Sequence, residues 1–222
     1  MSLTGSNKLT TKSIAIIAML CAIAFVAKLI SNVFPVVSGF LSFDLKDVII
    51  VIGGFIMGPL AAALISLIVS IIEMLTISST GPIGLIMNVL SSCAFACVAS
   101  AIYQHNRKMR NAVIGLIAGT LCMTAIMLLW NYLITPLYMK VPREVVVGML
   151  VPVFLPFNLV KGGINAALAM LLYKPIVTAL RKAGLVEQSN ATKGGTRWGV
   201  IAVAGVLLVT FLLLALVLAG VL

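Results

Sequence analysis

Long apolar runs separated by short polar gaps set the pattern of this chain from residue 12 onward. Runs at about 12–30, 85–103, 112–134, 152–173 and 198–222 are each long enough to cross a bilayer as a helix. The run from 48 to 75 is ambiguous, because Gly53-Gly54 and Gly58-Pro59 interrupt it. Charge placement decides the count, since Lys and Arg concentrate on one side of a membrane. With two spans in this run, Lys8, Lys12, Arg107, Lys108, Arg110, Lys174, Arg181, Lys182, Lys193 and Arg197 share a side. That is ten of the fifteen basic residues, against Lys46, Lys140 and Arg143 opposite and Lys28 and Lys161 within spans. A single span would put the 107–110 cluster opposite the N-terminus. The pattern therefore predicts spans at 47–57 and 59–76, the first too short to face lipid along its whole length and suited to burial among other helices.

Composition agrees with this reading. The 222 residues are 62% hydrophobic and 9% charged, where a soluble domain carries about a quarter charged residues. The runs are continuous rather than alternating, which excludes an outer-membrane barrel. The fold class expected is all-α, a polytopic six-helix transmembrane bundle over residues 1–185. A cytoplasmic linker at 186–197 and an extra transmembrane helix at 198–222 follow. The first run is too long for a cleavable signal peptide and no small-residue cleavage site follows it. The net charge of +10 lies in the gaps between spans, so it reads as topology and not as nucleic-acid binding.

Polar residues inside the runs carry the candidate chemistry. In 154–165 (FLPFNLVKGGIN), Asn158, Lys161 and Asn165 fall at i, i+3 and i+7 on one helix face. A lysine in hydrocarbon costs a few kcal/mol, about 3 on insertion scales, so it needs protein, water or a ligand beside it. The topology brings Asp44, Asn88, Asn131, Asn158, Lys161 and Asn165 to the outer half of the bundle from four segments, with Asn165 deepest. Amides donate and accept, and so match a heterocycle edge with alternating C=O and N–H groups. Phe40, Phe43, Trp130 and Phe157 are candidate flat walls. The competing reading makes the amides interhelical glue worth about 0.6 kcal/mol each. Glu73 is expected to reach water at the interface, Arg143 and Glu144 to form an exposed pair, and residues 137–153 to be a connection. Ala18 and Ala22 form a small-xxx-small pair, which serves packing within the chain or docking of another helix equally well. Residues 198–222 read as a plain lipid-facing anchor.

Several chemistries lack their signatures. There is no phosphate-binding loop, no H-E-x-x-H, no G-x-S-x-G and no paired carboxylates. Cys93 and Cys97 have no companion ligands, so no metal or cofactor is expected. No series of ionisable groups crosses the spans, so a transporter of this kind would draw its energy from elsewhere. An intramembrane enzyme using Lys161 or Glu73 and a purely structural membrane protein are the readings from other classes.

Four segments taken in order carry a resemblance: 40–47 (FLSFDLKD), 81–88 (GPIGLIMN), 130–136 (WNYLITP) and 154–165. Together they resemble the riboflavin-specific substrate-binding subunits, or S components, of energy-coupling factor (ECF) transporters, over about residues 10–185. The resemblance implies a six-helix bundle with a vitamin site on the extracellular side, capped by the first loop, and no enzyme activity. It implies polar contacts to riboflavin from Asn131, Asn158, Lys161 and Asn165, with Leu41, Asp44 and Asn88 next. It also implies work with a transmembrane coupling protein, docked at Ala18 and Ala22, and two cytoplasmic ATPases. The chain would lie in the cell membrane with a cytoplasmic N-terminus. A subunit of the same kind for another vitamin, such as thiamine, is the nearest alternative. The seventh run departs from the usual six.

Overall fold

The computed structural model describes residues 10–38, 41–78, 80–184 and 198–221, and its regular elements are helices. In chain order they are α1 (Thr11–Ser31), α2 (Lys46–Met57), α3 (Pro59–Thr76), α4 (Gly81–His105), α5 (Met109–Leu133), α6 (Thr135–Met139), α7 (Arg143–Met149), α8 (Leu155–Lys182) and α9 (Trp198–Leu218). The proposed linker at 186–197 lies outside the described residues, as does Phe40.

The ambiguous run resolves into two helices. Gly58 has φ +101°, a backbone state that a side chain disfavours, and Pro59 opens α3 where its missing N–H costs nothing. With 12 residues, α2 rises about 18 Å, well short of a hydrocarbon core of about 30 Å. Every residue from Lys46 to Phe55 is buried, so α2 is the inner post of the bundle. Around it stand α1, α3, α4, α5 and α8, and their shared core includes Leu20, Ile50, Ile65, Phe95, Met123 and Ala169. Six stretches, five of them in this bundle plus α9, are long and apolar enough to cross a membrane. Large aliphatic side chains such as Val26, Leu60, Leu121 and Val206 remain exposed, as a surface meeting lipid requires.

Glycines set the closest helix approaches. On α5, a Cβ at Gly115 or Gly119 would come 2.6 or 2.4 Å from the carbonyl oxygens of Ala99 and Phe95 on α4. This is the backbone-to-backbone contact that a G-x-x-x-G spacing permits. On α8 the adjacent glycines serve two neighbours. A Cβ at Gly162 would lie 2.4 Å from Thr120 on α5, and one at Gly163 would lie 2.5 Å from the Phe211 ring on α9.

That second contact corrects the expectation for the last run. One face of α9 is not a lipid-facing anchor: Phe211 and Ala215 pack with Phe157, Val160 and Ile164 of α8. Residues 137–153 are also not a plain connection. They form α6, α7 and a π-helical turn, Leu150–Phe154, that runs into α8. Adjacent positions on a helix diverge by about 100°, so Arg143 and Glu144 do not face each other. Arg143 instead lies 5.2 Å from the Tyr132 ring centroid.

Candidate functional site

A cavity of about 250 Å³ opens at the end of the bundle where α1 meets α2, α3 meets α4, and α8 begins. Each wall follows from local structure. The chain leaving α1 folds back through a single bridge between Val37 and Leu41. Ser31 on α1 then accepts the Leu45 backbone N–H at 2.8 Å, which pins the strand-like segment 41–45 over the cavity. Phe43 turns inward against Phe157 and Phe34, with ring centroids 5.1 and 6.5 Å away, and leaves Leu41, Ser42 and Asp44 in the wall. From the opposite side α4 brings Asn88 and Ser91, α5 brings Met127 and Asn131, and α8 brings Phe157, Asn158 and Lys161.

The charges are paired within this end. Lys28 donates to Asp44 Oδ1, and Lys161 Nζ lies 3.2 Å from Asp44 Oδ2 and 4.0 Å from Asp47 Oδ2. Asp44 therefore ties the 41–45 segment to α1 and α8 together. Burial alone would raise the Asp44 carboxyl. The Lys161, Lys46 and Lys28 ammonium groups outweigh it and hold the group well below the usual carboxylate range. Deeper, Lys46 Nζ reaches both Glu73 oxygens at 2.8 and 2.6 Å, and Asn88 Nδ2 donates to Glu73 Oε2 at 3.0 Å. Three ammonium groups thus face three carboxylates, and the site as a whole is neutral.

One expectation about this network is corrected. Glu73 does not reach water at an interface: it is 1% exposed and bound to Lys46. Its partner Lys46, counted among the basic residues on the opposite side, is likewise 1% exposed. A carboxylate on α3 and an ammonium at the start of α2, each in an apolar context, form the same kind of signal that singled out Lys161. The sequence separation of 27 residues hid their partnership. Asp47, whose Oδ1 accepts from Ser92, is fully buried at the start of α2, where the predicted span begins.

Of the expected contact residues, Leu41, Asp44, Asn88, Asn131, Asn158 and Lys161 all line the cavity. Asn165 does not: it is 1% exposed, one turn below Lys161, and neither amide atom has a hydrogen-bond partner among the described residues. Trp130 packs against the main core and is not in the wall, whereas Phe157 is. Two of the amides are held locally, whereas Asn88 bonds across to Glu73 on α3. Asn131 Nδ2 donates to the Met127 carbonyl at 2.8 Å and its Oδ1 accepts from Thr135, while Asn158 Nδ2 donates to the Phe154 carbonyl at 2.7 Å. Each such bond uses one of two amide hydrogens and fixes the rotamer, so the other is pre-aimed. For Asn131 and Asn158, local anchoring of this kind stands in place of the interhelical bonding that glue would require. What results is an oriented set of donors and acceptors around a charge-balanced floor, with Phe157 as a flat apolar surface. Such a site suits a planar, polar, uncharged ligand. No cluster of three metal-ligating side chains occurs among the described residues.

Ala18 and Ala22 lie elsewhere, on the exposed face of α1, while Ile17, Leu20, Cys21 and Ala24 face the core.

Comparison with known proteins gives a consistent result. Residues 12–173 match the family model for the ECF transporter, substrate-specific component. The chain is 30% identical over 182 residues to riboflavin transporter RibU of Staphylococcus aureus, covering 79% of this chain and 96% of that one. It is 28% identical over 189 residues to riboflavin transporter FmnP of Bacillus subtilis, covering 78% and 97%. A solved S component of a bacterial ECF transporter is 31% identical and superposes with a TM-score of 0.63, covering 76% of this chain and 96% of that chain. The family match ends at residue 173, so α9 lies beyond it.

Proposed function

The chain belongs to the substrate-specific components of ECF transporters, and from that premise we propose that it captures riboflavin in the cavity beside Lys161. The observation that carries this reading is the convergence of Leu41, Asp44, Asn88, Asn131, Asn158 and Lys161 on one charge-balanced cavity. Asn131, Asn158 and Lys161 address the carbonyl and N–H edge of the flavin ring, Phe157 meets its face, and Asp44 and Asn88 meet the hydroxylated chain. Asn165 supports the floor from below, and its two unpaired amide atoms are satisfied by ordered water or by a polar group descending from the ligand. The names of the RibU and FmnP relatives favour riboflavin over another vitamin.

In this proposal the cavity faces the extracellular side and the N-terminus is cytoplasmic, as the distribution of basic residues indicates. Energy comes from a coupling membrane protein and two cytoplasmic ATPases. The exposed Ala18 and Ala22 face offers a helix the close approach that such docking needs. Residues 1–185 form the S-component unit, 186–197 link it, and 198–222 add a helix at the flank of α8. The test is a fluorescence titration of purified protein with riboflavin, run beside thiamine. Saturable flavin quenching that thiamine does not compete supports the reading, and its absence removes it.

A further inference from the structure

A second cavity, of about 170 Å³, lies at the opposite end of the bundle, between α5 and α8 with floor residues from α2 and α4. Its walls are apolar and aromatic: Phe55, Tyr103, Leu116, Ala169, Met170 and Tyr173 are among them. It sits two turns along α8 from the close Gly162–Thr120 contact, where α5 and α8 are tightest. The Phe55 and Tyr103 rings meet at a tilt of 38° with centroids 4.5 Å apart, and the Tyr103 and Tyr173 hydroxyls share one hydrogen bond at 3.1 Å. That bond uses one of two phenolic protons and leaves the second as a donor.

The surroundings of this cavity are cationic. Arg107, Lys108 and Arg110 precede or begin α5, and Arg181 and Lys182 end α8. Gln104 ties Arg107 to this end: its amide nitrogen donates to the Phe55 carbonyl at 2.9 Å and its Oε1 accepts from Arg107 Nε at 2.9 Å. Arg181 is half-buried, and its Nε is shielded from water without a hydrogen-bond partner among the described residues. Four of the five acidic residues lie at or beyond the other end, and the fifth, Glu187, is outside the described residues. Arg181 stands eight residues past Tyr173, about 12 Å along the helix. An apolar slot that leads, over that distance, to a guanidinium whose Nε has no partner among the described residues has the layout of an acyl chain joined to an anionic headgroup.

The geometry points to an anionic phospholipid, seated with one acyl chain against Phe55, Tyr103 and Tyr173 and its phosphate on Arg181 and Arg107. The occupant is a lipid of the leaflet on the basic side, where anionic headgroups meet basic residues with a favourable energy. It fills the gap between α5 and α8 and thereby stiffens the lower half of the two helices that carry Asn131 and Lys161 above. The inference does not depend on which vitamin the outer cavity takes.

The experiment reconstitutes the full chain in nanodiscs of phosphatidylcholine containing a phosphatidylglycerol with a diazirine near the end of one acyl chain. Crosslinked residues are mapped by mass spectrometry. The expected result is labelling concentrated on peptides around Met109–Leu116 and Ala169–Tyr173, competed by unlabelled phosphatidylglycerol and not by phosphatidylcholine. Ala169→Phe, which fills the cavity, removes that labelling. Because that substitution risks misfolding, Arg107→Gln with Arg181→Gln is measured alongside, with an expected loss of competing affinity on the order of tenfold. Labelling spread over the exposed faces of α1 and α3, or equal labelling from a phosphatidylcholine probe, overturns the proposal. Competition by glycerophosphoglycerol alone, as strong as that by the intact lipid, also overturns it. Riboflavin quenching recorded on the same samples separates the two readings. Its absence counts against the outer site only, and its persistence in Ala169→Phe shows that the variant is folded.

Discussion

The two ends of the bundle solve opposite problems with an overlapping set of helices. At one end α1, α2, α3, α8 and the 41–45 segment supply a neutral cage of three ammonium and three carboxylate groups, beside which α4 and α5 bring their amides. At the other end α2, α4, α5 and α8 enclose an aromatic slot, with Arg107, Arg110 and Arg181 on the flanking segments. Between them lies a dry core, with Ile50, Phe95, Leu116 and Met123 almost inaccessible. The contrast teaches where specificity resides. Paired charges and anchored amides at the cage end fix donors in set directions, as recognition of one polar molecule needs. A slot lined by Met, Phe and Tyr with a cationic rim sets only shape and sign, as a lipid needs.

The largest effects should come from unpairing the cage. Lys161→Ala leaves Asp44 and Asp47 short of a cation and deletes a proposed ligand donor. Breaking a buried pair costs about 3–5 kcal/mol, so riboflavin affinity should fall by at least about a hundredfold in a fluorescence titration. Glu73→Ala strands Lys46, which is 1% exposed, and should lower the thermal midpoint strongly as well as weaken binding. A Glu73 variant as stable as the parent would mean that the pair opens to water.

Gly163→Leu drives a side chain into the Phe211 ring and should displace α9. The outer cavity contains no α9 residue, so flavin affinity should stay within about twofold of the parent, inside the scatter of additivity for distant sites. A large loss would show that α9 supports the cavity through Phe157. Arg143→Ala removes a ring contact worth about 0.5–1 kcal/mol at most and should leave binding unchanged.

The smallest effect concerns pH. A carboxyl whose folded value is depressed contributes stability above its unfolded pKa, and this is lost only as pH falls through the folded value. Asp44 is held below the usual carboxylate range. Its ion pairs should therefore persist from neutrality down to about pH 5, and flavin affinity should be flat over that window. A midpoint near pH 6 would place another group in control.

Much of the architecture was legible in the sequence because bilayer thickness makes span length a strong signal. The Gly58-Pro59 break and the basic loops together fixed the α2–α3 division, which the structure reproduces at Lys46–Met57 and Pro59–Thr76. The polar stripe of α8 was legible because lysine and asparagine stand out against hydrocarbon. The pairing of Lys46 with Glu73 was not, since no local spacing links residues 27 apart and each alone passes for an interfacial charge. Asn165 shares a face with Lys161 yet lies a turn too deep to line the cavity, a difference of depth that helical periodicity does not encode. The docking of α9 was hidden for another reason: an all-apolar helix shows no preferred face. Only Gly163, read with Phe211, reveals where it packs.

The central claim is that the cage beside Lys161 binds riboflavin, and a fluorescence titration of the purified chain without ATP or partner subunits tests it most directly. The account predicts saturable quenching at one flavin per chain, lost in Lys161→Ala and Asn131→Ala and kept in Arg143→Ala. No saturable quenching at micromolar flavin, or equal losses in all three variants, would contradict it.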